Sequence, residues 1–143
     1  MIGRISKGIG VLEQQIAQSD SIGDQTRAAW RRIVLAEIYI QIVSGGEKPP
    51  VAVLFRNFWA IAAAMMFGAN RARTLLQRAA ATKMLSERGV HIARINFDLG
   101  VLSAMKKNRV EAKDYFEKAR ESAEYQDAGK LRQKIDVALA GLQ

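Results

Sequence analysis

Arg71-Ala72-Arg73-Thr74-Leu75-Leu76-Gln77-Arg78-Ala79 aligns position for position with Glu111-Ala112-Lys113-Asp114-Tyr115-Phe116-Glu117-Lys118-Ala119. The shift that carries Arg71 onto Glu111 also carries Leu99-Gly100 onto Leu139-Ala140. A third copy lies upstream at a longer shift: Leu35-Ala36 precedes Leu99-Gly100, and by the same distance Gly8 and Leu12 precede Ala72 and Leu76. The two shifts differ by 24, so one insertion of that length near 42–68 reconciles them. A fixed period of this size signals stacked supersecondary units rather than a globular enzyme fold.

Size and composition agree with such a stack. The chain has 143 residues, 49% apolar and 25% charged, which suits one domain with a real core. Its only prolines, Pro49-Pro50, are adjacent, leaving long stretches free to be helical. There is no cysteine, so disulfides and thiolate metal sites are excluded, and a reducing, cytoplasmic setting fits. Met1 to Val11 has no apolar core of a signal peptide. Val51–Phe67 is the one membrane-like run; Arg56 and Asn57 interrupt it, and it falls short of the roughly 20 apolar residues of a span. The net charge of +8 sits in the middle of the chain: residues 48–109 hold eleven Lys/Arg against two Asp/Glu.

Nearly every segment reads as helix. Ile9, Leu12 and Ile16 share a stripe on a helix over about 5–18. Asp24 is placed to cap a second helix over about 25–43, on which Trp30, Ile33, Val34, Ile38 and Ile42 follow the helical period. Ser44 to Pro50 reads as a loop, followed by an inserted apolar helix over about 51–66. Gly68-Ala69-Asn70 reads as its end, with Asn70 capping a fourth helix to about Arg88 and Gly89 closing it. A fifth helix spans about 90–106. Asn108 and Glu111 form a capping-box pattern that opens a sixth to about Glu124, and Asp127 caps a seventh ending near Leu139. No segment alternates with period two, so no sheet is predicted.

Within 95–124, Leu99, Gly100, Ala112, Phe116 and Ala119 stand at the offsets of a tetratricopeptide repeat, which this stretch resembles. In that reading the small residues let paired helices approach closely, and Phe116 fills the space between units. Leu35, Ala36, Ala72, Leu76 and Ala79 take the equivalent places upstream. The period is 40 rather than about 34, Ser103 replaces the usual aromatic, and Glu124 replaces the closing proline. A second resemblance covers about Ile5 to Leu142. The order Trp30-Arg31-Arg32-Ile33-Val34-Leu35-Ala36-Glu37-Ile38-Tyr39, a Gly-Gly-Glu-Lys-Pro-Pro loop, an apolar helix and Arg71-Ala72-Arg73-Thr74-Leu75-Leu76 is similar to the C-terminal helical region of large bacterial adenylate/guanylate cyclases. That resemblance implies a non-catalytic piece of a multidomain signalling protein.

Catalytic chemistry finds no foothold. His91 is the only histidine and has no acidic pair at ligand spacing, so it reads as a polar residue in the first turn of a helix. Gly3, Gly8 and Gly10 are not followed by the Lys-Ser/Thr of a phosphate loop, and no nucleophile motif occurs. No cofactor or metal site is expected.

Three surfaces are candidates for binding. A concave groove of first-helix side chains would hold Trp30, Ile33, Glu37, Ile40 and Gln41 in one unit and Arg94, Phe97, Val101, Ala104 and Met105 in the next, continued by Lys134 and Val137. Its competing reading is that Ile33, Phe97 and Val101 are simply core. The inserted helix, apolar on most sides through Phe55, Phe58 and Trp59, would either be covered by its neighbours or self-associate. A basic run, Arg71, Arg73, Arg78, Lys83, Arg88 and Arg94, reads as a solvated face first, an acidic-partner surface second and a nucleic-acid site last.

The expectation is therefore an all-α, tetratricopeptide-like right-handed stack of about seven helices over residues 1–143, with the inserted loop and helix at about 44–68. With few complete repeats it reads as a piece of a larger protein, or as one completed by a partner chain. Its expected role is protein–protein interaction or regulatory scaffolding. The alternatives are an independent dimerising adaptor and, behind it, a basic nucleic-acid-binding helical protein.

Overall fold

The computed structural model describes residues 2–44, 58–86, 89–124 and 128–142. Every described element is a helix: α1 Ile2–Ser21, α2 Gln25–Val43, α3 Phe58–Ala80, α4 Lys83–Ser86, α5 Gly89–Met105, α6 Arg109–Glu124 and α7 Gly129–Ala140. Among the described residues there is no strand. They gather into two compact units, Met1–Arg78 and Ala79–Gln143, and each is described by itself.

In the first unit, α1 folds back on α2 through a turn written in the sequence. Gly23 takes the left-handed conformation, φ +75°. Its N–H donates to the Asp20 carbonyl at 3.2 Å, and the Asp24 N–H donates to the Ser19 carbonyl at 2.9 Å, so the last carbonyls of α1 are satisfied. Asp24 then caps α2 as expected, its carboxylate accepting from the Arg27 N–H at 3.0 Å. Polar ties close the hairpin. Arg31 Nη1 donates to the Gln15 carbonyl at 2.8 Å and to Ser19 Oγ. Arg32 Nη2 donates to both Asp20 oxygens, at 2.8 and 2.7 Å. The buried set of α2 is Ala28, Ala29, Arg32, Ile33, Leu35, Ala36, Tyr39 and Ile40. Trp30, Ile33, Val34, Ile38 and Ile42 follow the helical period on α2. Ile33 is buried, Val34, Ile38 and Ile42 are half-buried, and Trp30 is exposed.

Helix α3 corrects the expected break at Gly68-Ala69-Asn70. The helix runs straight through it, and residues 58–67 form the first part of α3 rather than a separate inserted helix. Gly68 is small for packing and not for a turn. A Cβ there would lie 2.9 Å from Val43 Cγ2 and 3.4 Å from Tyr39 Cδ1, so α2 and α3 meet at its backbone. Asn70 caps nothing; its carbonyl accepts from Thr74 Oγ1 at 3.0 Å inside the helix. Val51 to Asn57, and the loop over 45–50, lie outside the described residues. The expected continuation to Arg88 is also corrected: α3 ends at Ala80, and Ala81-Thr82 separates it from the single turn α4.

The second unit is built on α5 and α6, an antiparallel pair joined by the same kind of turn. The Lys107 N–H donates to the Ala104 carbonyl at 2.9 Å and the Asn108 N–H to the Ser103 carbonyl at 3.0 Å. Here a lysine rather than a glycine holds the left-handed position, φ 59°. Asn108 caps α6 as expected, accepting from the Glu111 N–H at 3.2 Å while its amide donates to Glu111 Oε2 at 3.2 Å. Gly89, expected to close a helix, opens α5 instead. A Cβ there would sit 3.0 Å from the Ser122 carbonyl, so glycine marks a close approach of α5 to α6.

The core of this unit is Ala93, Ala112, Phe116, Ala119, Ala123 and Ile135, with Phe97, Val101, Leu131, Ala138 and Leu139 packed against it. At its centre Phe116 lies on Gly100. A Cβ on Gly100 would be 2.6 Å from two atoms of the ring. The buried Ser103 hydroxyl donates to the Leu99 carbonyl at 2.9 Å, so the serine standing where an aromatic was usual leaves its oxygen satisfied. Helix α7 packs on α6 through Ile135, and its first residue follows Ala128, which caps without a side chain. The expected cap Asp127 is outside the described residues.

These contacts set three stability outcomes. Gly100→Ala destabilises by about 1–2 kcal/mol, since overpacking of about 1–3 kcal/mol exceeds the helical gain of about 1 kcal/mol. Gly10→Ala, in the same kind of helix but with nothing within 4 Å of its Cβ, shows the gain alone. Lys107→Gly stabilises by about 1 kcal/mol by relieving the left-handed backbone. Urea unfolding of the three variants beside the parent chain checks all of these, and a Gly100→Ala chain as stable as Gly10→Ala would contradict the packing.

Candidate interaction surfaces

The residues read as repeat contacts are all buried: Leu35, Ala36, Ala72, Leu76, Ala79, Leu99, Ala112, Phe116 and Ala119 are at most 4% exposed, and Gly100 is buried with them. In the first unit the register of the pair can be followed residue by residue. Gly68 meets Val43 and Tyr39, and Arg71 meets Tyr39. Ala36 and Leu76, on the same two helices, are fully buried. In the second unit the observed contact is Gly100 with Phe116.

The expected groove is thinner than its sequence pattern. Ile33 is fully buried and Ile40 is 8% exposed, so both are core residues and present nothing to a partner. Phe97 is half-buried against Phe116, ring centroids 5.6 Å apart at 44°, and Val101 packs on the same core. Both support α6 first. Trp30 and Met105 remain exposed apolar side chains, with Gln41 and Lys134 exposed and Glu37 and Arg94 half-buried. Trp30, Glu37 and Gln41 belong to the first unit, and Arg94, Met105 and Lys134 to the second. Val137 is the most open apolar residue of α7, 68% exposed, and Ala104 is half-buried.

Of the residues read as a self-association face, Phe55 lies outside the described residues, and Phe58 and Trp59 open α3. Further along the same helix Met66 and Phe67 are exposed, a surface the sequence pattern folded into the inserted helix.

The basic run is not a free stripe. Arg71 donates through Nη1 to the Tyr39 hydroxyl at 3.1 Å and lies 3.8 Å from Glu13 Oε1. The Tyr39 hydroxyl in turn reaches Glu13 at 3.4 Å, so α1, α2 and α3 share one polar knot. The Tyr39 hydrogen bond, then the charge interaction with Tyr39 and, least, that with Glu13, hold the Arg71 pKa above its ordinary value. Arg73 and Arg94 are half-buried, and Arg73, Arg78, Lys83 and Arg94 all have interactions of their own. Arg88 is outside the described residues. The knot was invisible to sequence reading, because Glu13, Tyr39 and Arg71 come from three helices far apart along the chain.

His91 is half-buried in the first turn of α5. Among the described residues no group of three or more His, Asp or Glu side chains is placed to hold a metal ion, and no helix is long and apolar enough to cross a membrane.

No family model matches the chain, and neither curated proteins nor solved structures yield a match.

The Arg71 knot sets an expectation for pH. A raised cation pKa means the stabilisation is complete at pH below the ordinary arginine range and is lost only as pH rises through the raised value. Unfolding free energy therefore shows no step from this group between about pH 6 and 9. Tyr39→Phe lowers stability by about 1 kcal/mol at every pH in that window, measured by urea unfolding.

Proposed function

We propose that this chain is a non-catalytic scaffold or regulatory domain that binds protein segments, built of tetratricopeptide-like helical pairs and serving a multidomain adenylate/guanylate cyclase-like signalling protein. The observation that supports this reading is the buried Gly100–Phe116 seat, and Ala36 and Leu76, its counterparts in the repeat register of the sequence, are fully buried as well. Helices drawn together by small residues spend their large side chains on each other. What is left outward is a set of isolated polar and aromatic positions, which suits recognition of a partner better than enclosure of a substrate. Trp30 is the best single anchor, because it is exposed, aromatic and set on a helix fixed at both ends by Asp24 and Gly68. Basic side chains on α3 and on α5 add attraction for acidic segments.

The test starts from the reading frame that encodes the chain. A cyclase domain encoded in that frame, produced separately, binds this chain in calorimetry. Trp30→Ala and Arg94→Ala weaken binding by about tenfold or more while helicity is unchanged. Binding indifferent to both substitutions, in a folded chain, removes the surface proposed. Unrelated double-stranded DNA titrated across a salt series gives no binding even at low salt. Binding that falls steeply with salt would move the function to nucleic acid.

A further inference from the structure

The α1–α2 and α5–α6 turns share one hydrogen-bond plan, and the second fills it with costlier residues. In both, a left-handed residue donates to the carbonyl three back, and the residue after it donates five back and caps the next helix. The first turn has Gly23 at the left-handed position; the second has Lys107, whose side chain makes that conformation unfavourable. After the cap the first turn has Gln25; the second has Arg109, a cation at the positive end of α6. Next comes half-buried Thr26 in the first turn. In the second it is Val110, 83% exposed, the most exposed large apolar side chain among the described residues. Three local costs within four residues mark a place where the sequence answers to something besides the fold.

Every residue from Met105 to Val110 is exposed, and Lys106, Lys107 and Arg109 stand between the two apolar side chains. No Asp or Glu occurs from Leu99 to Val110, and the carboxylate that follows, Glu111, accepts from the Asn108 amide at 3.2 Å. We propose that this tip docks on an anionic lipid surface. Met105 and Val110 enter the headgroup layer, and the three cations meet the lipid phosphates and carboxylates. Two observations select lipid as the occupant. Cations set between exposed aliphatic side chains match a surface that is charged outside and apolar beneath, whereas nucleic-acid phosphates give Val110 nothing to bury against. The tip is also the end of a helical hairpin and not a groove, and its few residues offer far less than the about 800 Å² per partner of a stable protein interface. The α1–α2 turn is the contrast: it exposes Ile22 at 67%, but Asp20 and Asp24 beside it repel an anionic surface. The proposal is independent of the partner-binding role of Trp30 and Arg94.

Flotation of the full chain with vesicles of phosphatidylcholine alone, or of equimolar phosphatidylcholine and phosphatidylserine, tests it. Partition into the anionic vesicles is stronger by about tenfold or more and falls as salt rises. Lys107→Gly weakens it about fivefold although that chain is the more stable one in urea, so unfolding does not explain the loss. Val110→Ser weakens it about threefold or more. Lys130→Gln, an equal change of charge on α7, stays within about twofold of the parent. Equal partition into the two kinds of vesicle overturns the proposal. So does a Lys107→Gly chain that binds as tightly as the parent. A Lys130→Gln chain weakened as much as Lys107→Gly also overturns it, since only the general attraction of a +8 chain would then remain. Anionic vesicles left unbound, with Lys107→Gly weakening binding to duplex DNA, would assign the cations to nucleic acid instead. None of these outcomes bears on the calorimetry of Trp30→Ala, which reports on the scaffold reading by itself.

Discussion

The structure of the second unit depends on one contact, the Phe116 ring lying on the backbone of Gly100. A ring whose atoms come within 2.6 Å of where a Cβ would stand tolerates no side chain there, so the two helices approach as closely as backbone and ring permit. That closeness lets Ala112, Ala119 and Ala123 reach full burial on a helix whose other face is charged from Glu111 to Glu121. An alanine contributes little burial alone. It contributes to a core only when its partner's backbone is near, and Gly100 makes it so. Gly89 against the Ser122 carbonyl holds the far end of the same pair equally close.

The small residue at Gly100 was legible because it reports geometry directly: a side chain kept small there has the Phe116 ring in the way. Two caps were legible, since Asp24 and Asn108 each satisfy one backbone N–H at the third residue, whereas Asn70, read the same way, lies inside α3. Glycine was harder to read. At Gly23 it supplies a left-handed turn; at Gly68 and Gly89 it supplies room beside another helix. Sequence alone presents these as one signal, so Gly68 read as a stop and Gly89 as a cap. Lys107 is the converse case, a left-handed position with no glycine to announce it.

The surface was less legible than the core. Helix α2 has apolar residues on several sides, so periodicity does not say which face is covered. The choice is made by Arg31 and Arg32, whose bonds to Gln15, Ser19 and Asp20 rotate the helix until Arg32 itself is buried and Trp30 is left outside. A buried arginine held by one half-exposed carboxylate contributes more to orientation than to stability. Ile33 and Ile40 follow Arg32 inward and leave the groove to their neighbours. A polar tie therefore decided which large side chain meets solvent.

The inserted stretch tests how much of the fold depends on its loops. It falls between α2 and α3, the two helices of one pair, yet Gly68 still meets Val43 and Tyr39, and Arg71 still meets the Tyr39 hydroxyl. Closing a longer loop costs only about 0.6 kcal/mol for each doubling of its length. A single buried contact of the Gly68 kind outweighs that, so the pair keeps its register while the connection grows. Ala36 and Leu76, one on each side of that connection, are both wholly buried. The approach of these two helices is thus set by Gly68 and by the Arg71–Tyr39 bond rather than by the chain that joins them.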